Sequence, residues 1–177
     1  MDYWNQQSFA TDYDHNGNNA KAGTINTVLL AALLHDPFFN QPPPKSTGRE
    51  YFTPAWLHHK LQSIAANNLS NYDVQATLLA ATATTITNAI KNYAPNNSNV
   101  YLCGGGANNG FLQQTIAQQL KQNIQTTAAI GIDPNWVEAA LFAWLAKQTY
   151  NGCAIDLSVI TGAKQAVLLG GIYHIAK

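Results

Sequence analysis

Three consecutive glycines, Gly104, Gly105 and Gly106, stand between the short apolar run of residues 99–103 and the helical spacing of Leu112, Ile116 and Leu120. Glycines at such a turn let the backbone approach a ligand closely, and a helix N-terminus behind them offers N–H donors to an anion. Gly104, Gly106 and Gly110 fit G-x-G-x-x-x-G, not the dinucleotide fingerprint G-x-G-x-x-G. No acid closes the next strand to grip a ribose, and no G-K-[ST] phosphate loop is present. On these residues alone, a nucleotide turn and a tight strand-to-helix connection are both open.

Glu138 is a second candidate. Trp136, Val137, Leu141, Phe142, Trp144 and Leu145 surround it in a helix apolar on nearly all sides, which predicts burial. A carboxylate buried there needs a partner, water or a ligand, so structural pairing and ligand contact are both open. The third candidate is the segment Lys45, Ser46, Thr47, Gly48, Arg49 and Glu50, a concentration of charge in a chain where charged residues are only 10%. Its plainest reading is a capping box, Thr47 with Glu50 three residues on, beside solvated basic groups. His58 and His59 are adjacent, which suits no single-face metal pair, and His15, His35 and His174 lie far apart. These histidines read as surface or satisfied core residues. Cys103 and Cys153 have no metal-ligand spacing and form no disulfide framework, so both are expected as buried, reduced thiols. No metal site is expected.

The elements that must position these residues follow from spacing and punctuation. Residues 10–23 are a polar loop rich in turn formers, and 25–36 read as an apolar helix. The prolines of 40–52 enforce an extended stretch. Thr53 followed by Pro54 starts a helix whose apolar stripe is Leu57, Leu61 and Ile64. Ser70 with Asp73 is a relative of the capping box and opens a long helix to Tyr93, carrying Leu79, Ala83, Ile86 and Ile90 at helical spacing. Residues 99–103 and 123–130 read as two strands flanking a helix, a parallel β-α-β unit. Asp133-Pro134 opens a further helix, and the tail 166–176 reads as a strand or a buried segment. The sum is a helix-rich α/β chain with few strands.

The 177 residues suggest one domain, 46% hydrophobic and with zero formal net charge. Charged residues usually make up about 25%; here Asn, Gln, Thr and Ala cover the surface instead. A neutral chain carries no electrostatic footprint for nucleic acid or an anionic membrane, and repels its own copies weakly. No run approaches the roughly 20 apolar residues that span a bilayer. Residues 1–9 carry an acid and no apolar core, so they do not read as a signal peptide.

Taken in order, several stretches form a distinctive series: "PKSTGREYF" followed by "WL", then "DVQATLLAATATTI", "LCGGGANNGFL", "EAALFAWLA", "SVITGA" and "VLLGGIYH". Across nearly all 177 residues this series resembles the C-terminal part of the anhydro-N-acetylmuramic acid kinase family. The resemblance implies the fold group of sugar kinases, Hsp70 and actin, with two RNase H-like α/β domains around a cleft. It implies ATP, as Mg-ATP, and a sugar: the anhydro ring is opened with water and phosphorylated to N-acetylmuramic acid 6-phosphate, recycling peptidoglycan in the bacterial cytoplasm. By the same resemblance Gly104, Gly105, Gly106, Ala107 and Asn108 form the adenosine-side turn, and Glu138 faces the sugar. Residues 45–50 are a family signature whose individual roles stay unassigned. The intact family is expected to be homodimeric.

The departures carry equal weight. The family's G-T-S-x-D-G phosphate loop has no counterpart here. Met1-Asp2-Tyr3-Trp4 resembles the segment that follows the family's F-D-x-G-P-G-N motif, which places the expected catalytic aspartate before residue 1, and Asp2 is not its substitute. The expectation is a partial C-terminal domain that lacks its first strands and the N-terminal domain, keeps the adenosine side and has no turnover alone. A separate chain supplying the N-terminal half is the expected complement. The rival reading is a non-catalytic remnant that binds a nucleotide or a partner.

Overall fold

The computed structural model describes residues 1–64 and 68–173; His174, among the candidates above, lies outside them. The elements run α1 Asp2–Phe9, α2 Asn18–Ala22, α3 Thr27–Leu34, α4 Pro37–Asn40, α5 Pro54–Ser63, α6 Asn71–Tyr93, β1 Tyr101–Leu102, α7 Gly110–Leu120, β2 Gln125–Thr126, α8 Val137–Tyr150 and α9 Ser158–Thr161. Strand β1 pairs parallel with β2, Tyr101 opposite Gln125, and α7 connects them. The chain is thus helix-rich α/β with a two-stranded parallel sheet. Both strands are shorter than the apolar runs suggest, because the second run turns after Thr126 into a 3₁₀ turn at Thr127–Ile130.

Helix α6 is the spine. Its start is a full capping box: the Ser70 hydroxyl accepts the Asp73 amide and the Asp73 carboxylate accepts the Ser70 amide. Seven consecutive residues, 74 to 80, are buried, so helices pack on several of its sides. Leu79 and Ala83 meet Ala20, Leu112, Ile116 and Ile124, joining α6 to α2 and α7. Val74 and Leu78 meet Leu29, Leu33 and Leu57, joining it to α3 and α5. Thr53 caps α5 by accepting the Trp56 amide, with Pro54 in the first turn.

Asp36 organises the surface beside α5. It caps α4 by accepting the Phe38 amide at 3.0 Å, and it also accepts the Tyr51 hydroxyl and the Trp56 indole N–H, each at 2.8 Å. The Lys60 ammonium stands 3.7 Å away. Burial raises this carboxyl's pKa, but the indole, the phenol, the Phe38 amide and Lys60 outweigh it and hold the group below the ordinary carboxylate range.

Four expectations are corrected. The helix α8 has no buried residue: Trp136 just before it is 65% exposed and Phe142 within it 61%. Its apolar faces imply a cover, but among the described residues none packs densely over it. Residues 45–50 form no helix, so Thr47 and Glu50 make no capping box; the Glu50 carboxylate instead accepts the Gly48 amide at 3.0 Å. Cys103 and Cys153 are exposed, since Cys103 leads into the open glycine turn and Cys153 follows the end of α8. The described part of the tail, residues 166–173, is neither strand nor buried, and its regular pairing is one antiparallel bridge, Val167 to Ile155; residues 174–176 lie outside the described residues. No helix among the described residues is long and apolar enough to cross a membrane.

Candidate functional site

The glycine turn leaves β1 at Gly104, whose φ of 76° and ψ of −177° lie where L side chains are strained. Its amide donates to the Pro134 carbonyl at 2.8 Å, tying the turn to the loop before α8. Residues 105–108 then make a 3₁₀ turn, with Ala107 buried beneath it. Asn109 caps α7 by accepting the Leu112 amide at 2.9 Å. Asn108 donates its side-chain amide to Asn135 at 2.8 Å, and Gln113 donates to the Ala107 carbonyl. Packing does not require glycine at 104 or 105: a β-carbon on either would meet nothing within 4 Å. Open space lies in front of this backbone.

That space belongs to a cleft of about 840 Å³. Gly105, Gly106 and Asn108 line it, together with Asp12, Tyr13, His15 and Asn16 of the polar loop. Met1, Asp2 and Thr82 also line it. The loop is fixed from behind. Both Asp14 oxygens accept amides of the first turn of α2, Asn19 at 2.8 Å and Ala20 at 2.9 Å. Asn5 donates to the Thr11 carbonyl and hydroxyl and accepts from Asn19. Asn16, at a positive φ of 54°, accepts the Gly110 amide at 2.9 Å. Gly17 has φ of 72° and sits so close to α7 that a β-carbon would lie 2.6 Å from both Asn109 Oδ1 and Phe111 Cβ.

The predicted residues do not all converge. Gly105, Gly106 and Asn108 line the cleft, whereas Gly104 and Ala107 flank and support it. Glu138 is exposed in the first turn of α8 and is not in the cleft wall. Residues 45–50 are not in that wall either. Lys45 donates to the Phe38 and Phe39 carbonyls at 2.8 and 3.0 Å and lies over the Phe38 ring, whereas Ser46, Thr47, Gly48, Arg49 and Glu50 are exposed. Sequence reasoning passed over Asp12, Tyr13 and Asn16, whose only signal was a dense polar run containing Asn-Gly, and read His15 as a surface or satisfied core residue. It also passed over Asp36, which the following Pro37 could have marked as a cap.

A second cavity, about 310 Å³, lies among Tyr3, Trp4, Phe39, Phe52, Trp56 and Leu78 and is mainly apolar. It shares Met1 and Thr82 with the polar cleft. The polar cleft is the better candidate site, because backbone open to a ligand and convergent polar side chains meet there. Among the described residues no group of three or more His, Cys, Asp or Glu side chains is placed to hold a metal ion.

Comparison with known proteins agrees along the whole chain. A sequence model of the family "Anhydro-N-acetylmuramic acid kinase" matches residues 1–175. The anhydro-N-acetylmuramic acid kinase of Nitrosomonas europaea is 45% identical over 98% of this chain and 47% of its own length. That of Coxiella burnetii is 41% identical over 98% of this chain and 46% of its own, and that of Legionella pneumophila 42% identical over 100% and 48%. The chain spans about half the length of the curated relatives it matches.

Proposed function

The chain belongs to the anhydro-N-acetylmuramic acid kinase family, and we propose that its 177 residues carry the adenosine side of an ATP-dependent kinase for anhydro-N-acetylmuramic acid. On this reading they are the C-terminal part of an RNase H-like domain. The reaction they serve opens the anhydro ring with water and yields N-acetylmuramic acid 6-phosphate during peptidoglycan recycling in the bacterial cytoplasm. The observation that carries the reading is the open glycine backbone at Gly104 and Gly105, standing in front of a polar cleft that extends to Met1 and Asp2.

In this reading residues 104–108 hold the adenosine side of Mg-ATP. Glycine lets the nucleotide lie against the main chain, and the first turn of α7 adds the positive end of a helix dipole. ATP supplies the transferred phosphoryl group. Phosphoryl transfer depends on positioning, on charge stabilisation around the phosphates and on a base that activates the attacking water. No residue in the cleft is assigned the base, and Asp2 is not given that role. Glu138, exposed on α8, acts on the sugar only once a second surface closes over that helix. The apolar face of α8 favours such a cover, either an N-terminal half or a second copy.

Calorimetric titration of the purified chain with ATP tests the nucleotide reading. Saturable binding is expected, together with no phosphorylation of anhydro-N-acetylmuramic acid by these residues alone. An isotherm without binding sinks the nucleotide claim, and turnover by the 177 residues sinks the claim of half a site. Without saturable ATP binding, the reading that stands is a non-catalytic partner-binding remnant.

A further inference from the structure

The loop that shares the cleft with the glycine turn carries groups that suit only one part of a nucleotide. The rings of Tyr13 and His15 lie with centroids 4.3 Å apart, tilted at 42°, and Tyr13 is 51% exposed. Both line the same cleft as Gly105 and Gly106. Neither is held by chance, because Asp14 between them is buried and bonded to the α2 amides, and Asn16 beyond them grips Gly110. An exposed aromatic pair is thereby fixed in the cleft that the open glycine backbone also lines.

Charge decides which part of the ligand this wall receives. The side chains lining the cleft include the exposed carboxylates of Asp2 and Asp12, and no lysine or arginine. Phosphate oxygens are repelled by such a wall, whereas ribose hydroxyls can donate to its carboxylates and a base can stack on its rings. We infer that the Tyr13–His15 pair is a nucleoside-contacting wall of the cleft, recognising base and ribose together with the adenosine-side glycine turn and making no contact with the phosphates. The assignment rests on the nucleotide reading of the glycine turn and adds to it two residues of the same cleft.

The test titrates the full chain and its Tyr13→Ala/His15→Ala variant with adenosine, ATP and inorganic tripolyphosphate. The variant is expected to lose affinity for adenosine and ATP by the same factor, roughly 5- to 100-fold, as loss of base stacking implies. Tripolyphosphate binding should not change between the two proteins. A variant that binds adenosine within about twofold of the unmodified chain overturns the assignment, as does equal loss of tripolyphosphate. If the variant does not fold, the His15 ring-proton resonance of the unmodified chain decides: it must shift on adding adenosine, and a resonance that stays in place overturns the proposal. Absence of any adenosine or ATP binding by the unmodified chain overturns both this assignment and the nucleotide reading.

Discussion

The side-chain oxygen of Asn16 accepts the amide of Gly110 at 2.9 Å, so a residue of the N-terminal loop holds the first turn of a helix 94 positions away. Gly17, its neighbour, completes the clasp by leaving no side chain between the loop and α7. The two contacts differ in what their loss does. Asn16→Ala removes one hydrogen bond and should cost about 1 kcal/mol. Gly17→Ala combines a positive φ with a β-carbon 2.6 Å from Asn109 and Phe111, and should cost about 2–4 kcal/mol. Urea midpoints of the two variants measure the difference; midpoints equal to that of the unmodified chain would mean that the loop does not bear on α7.

Acid should weaken the fold through Asp36. Its pKa in the folded chain is depressed, so its contribution is fully present above the unfolded value near about 3.9 and is lost as pH falls through the lower folded value. Asp73 and Asp156 are shifted in the same direction, Asp73 chiefly by the Thr24 amide and Asp156 chiefly by Ser158. Unfolding followed from pH 6 down to pH 2 should therefore show stability falling below about pH 4, with a shallower fall for Asp36→Asn. At neutral pH Asp36→Ala, which strips the acceptor from Tyr51, Trp56 and Phe38 together, should cost about 2–4 kcal/mol.

Gly105 separates stability from ligand approach. A β-carbon there meets nothing within 4 Å, so Gly105→Val should leave the thermal midpoint within a few degrees of the unmodified chain. If a nucleotide lies against this backbone, the same substitution should weaken ATP binding at least about tenfold, because the branched side chain occupies the approach. Unchanged ATP affinity in a folded Gly105→Val chain would move the nucleotide elsewhere.

The face of α8 should behave as a surface in want of a cover. Phe142 and Trp144 are exposed, so replacing both by serine removes little folding energy while shrinking an apolar patch. The expected result is weaker binding of a hydrophobic dye and sedimentation shifted towards monomer, with the melting temperature nearly unchanged. A large fall in melting temperature would mean that α8 is buried by the chain itself.

Local punctuation was legible in the sequence. Ser70 with Asp73 and Thr53 with Pro54 announced real helix starts, because capping is settled by neighbours within four residues. The parallel pairing on either side of α7 was legible as well, though its strands are shorter than their apolar runs. Burial was not legible where it depends on distant cover: the composition of α8 demands a partner, but a sequence pattern does not say which surface provides one. The glycine turn was legible as a connection between a strand and a helix, whereas the loop that shares its cleft was not singled out. Asp12, Tyr13, His15 and Asn16 look like any solvated loop until Asn5 and Asp14 are seen to fix them from behind, contacts that spacing cannot reveal.

Asp14 spends both its oxygens within the fold, on α2 and on the Gln75 side chain at 3.4 Å, and so the loop it anchors is already set before any ligand arrives. A wall built in advance adds no ordering cost to capture. The heat-capacity change of binding should then report only the surface the ligand covers, and association should proceed in a single kinetic phase.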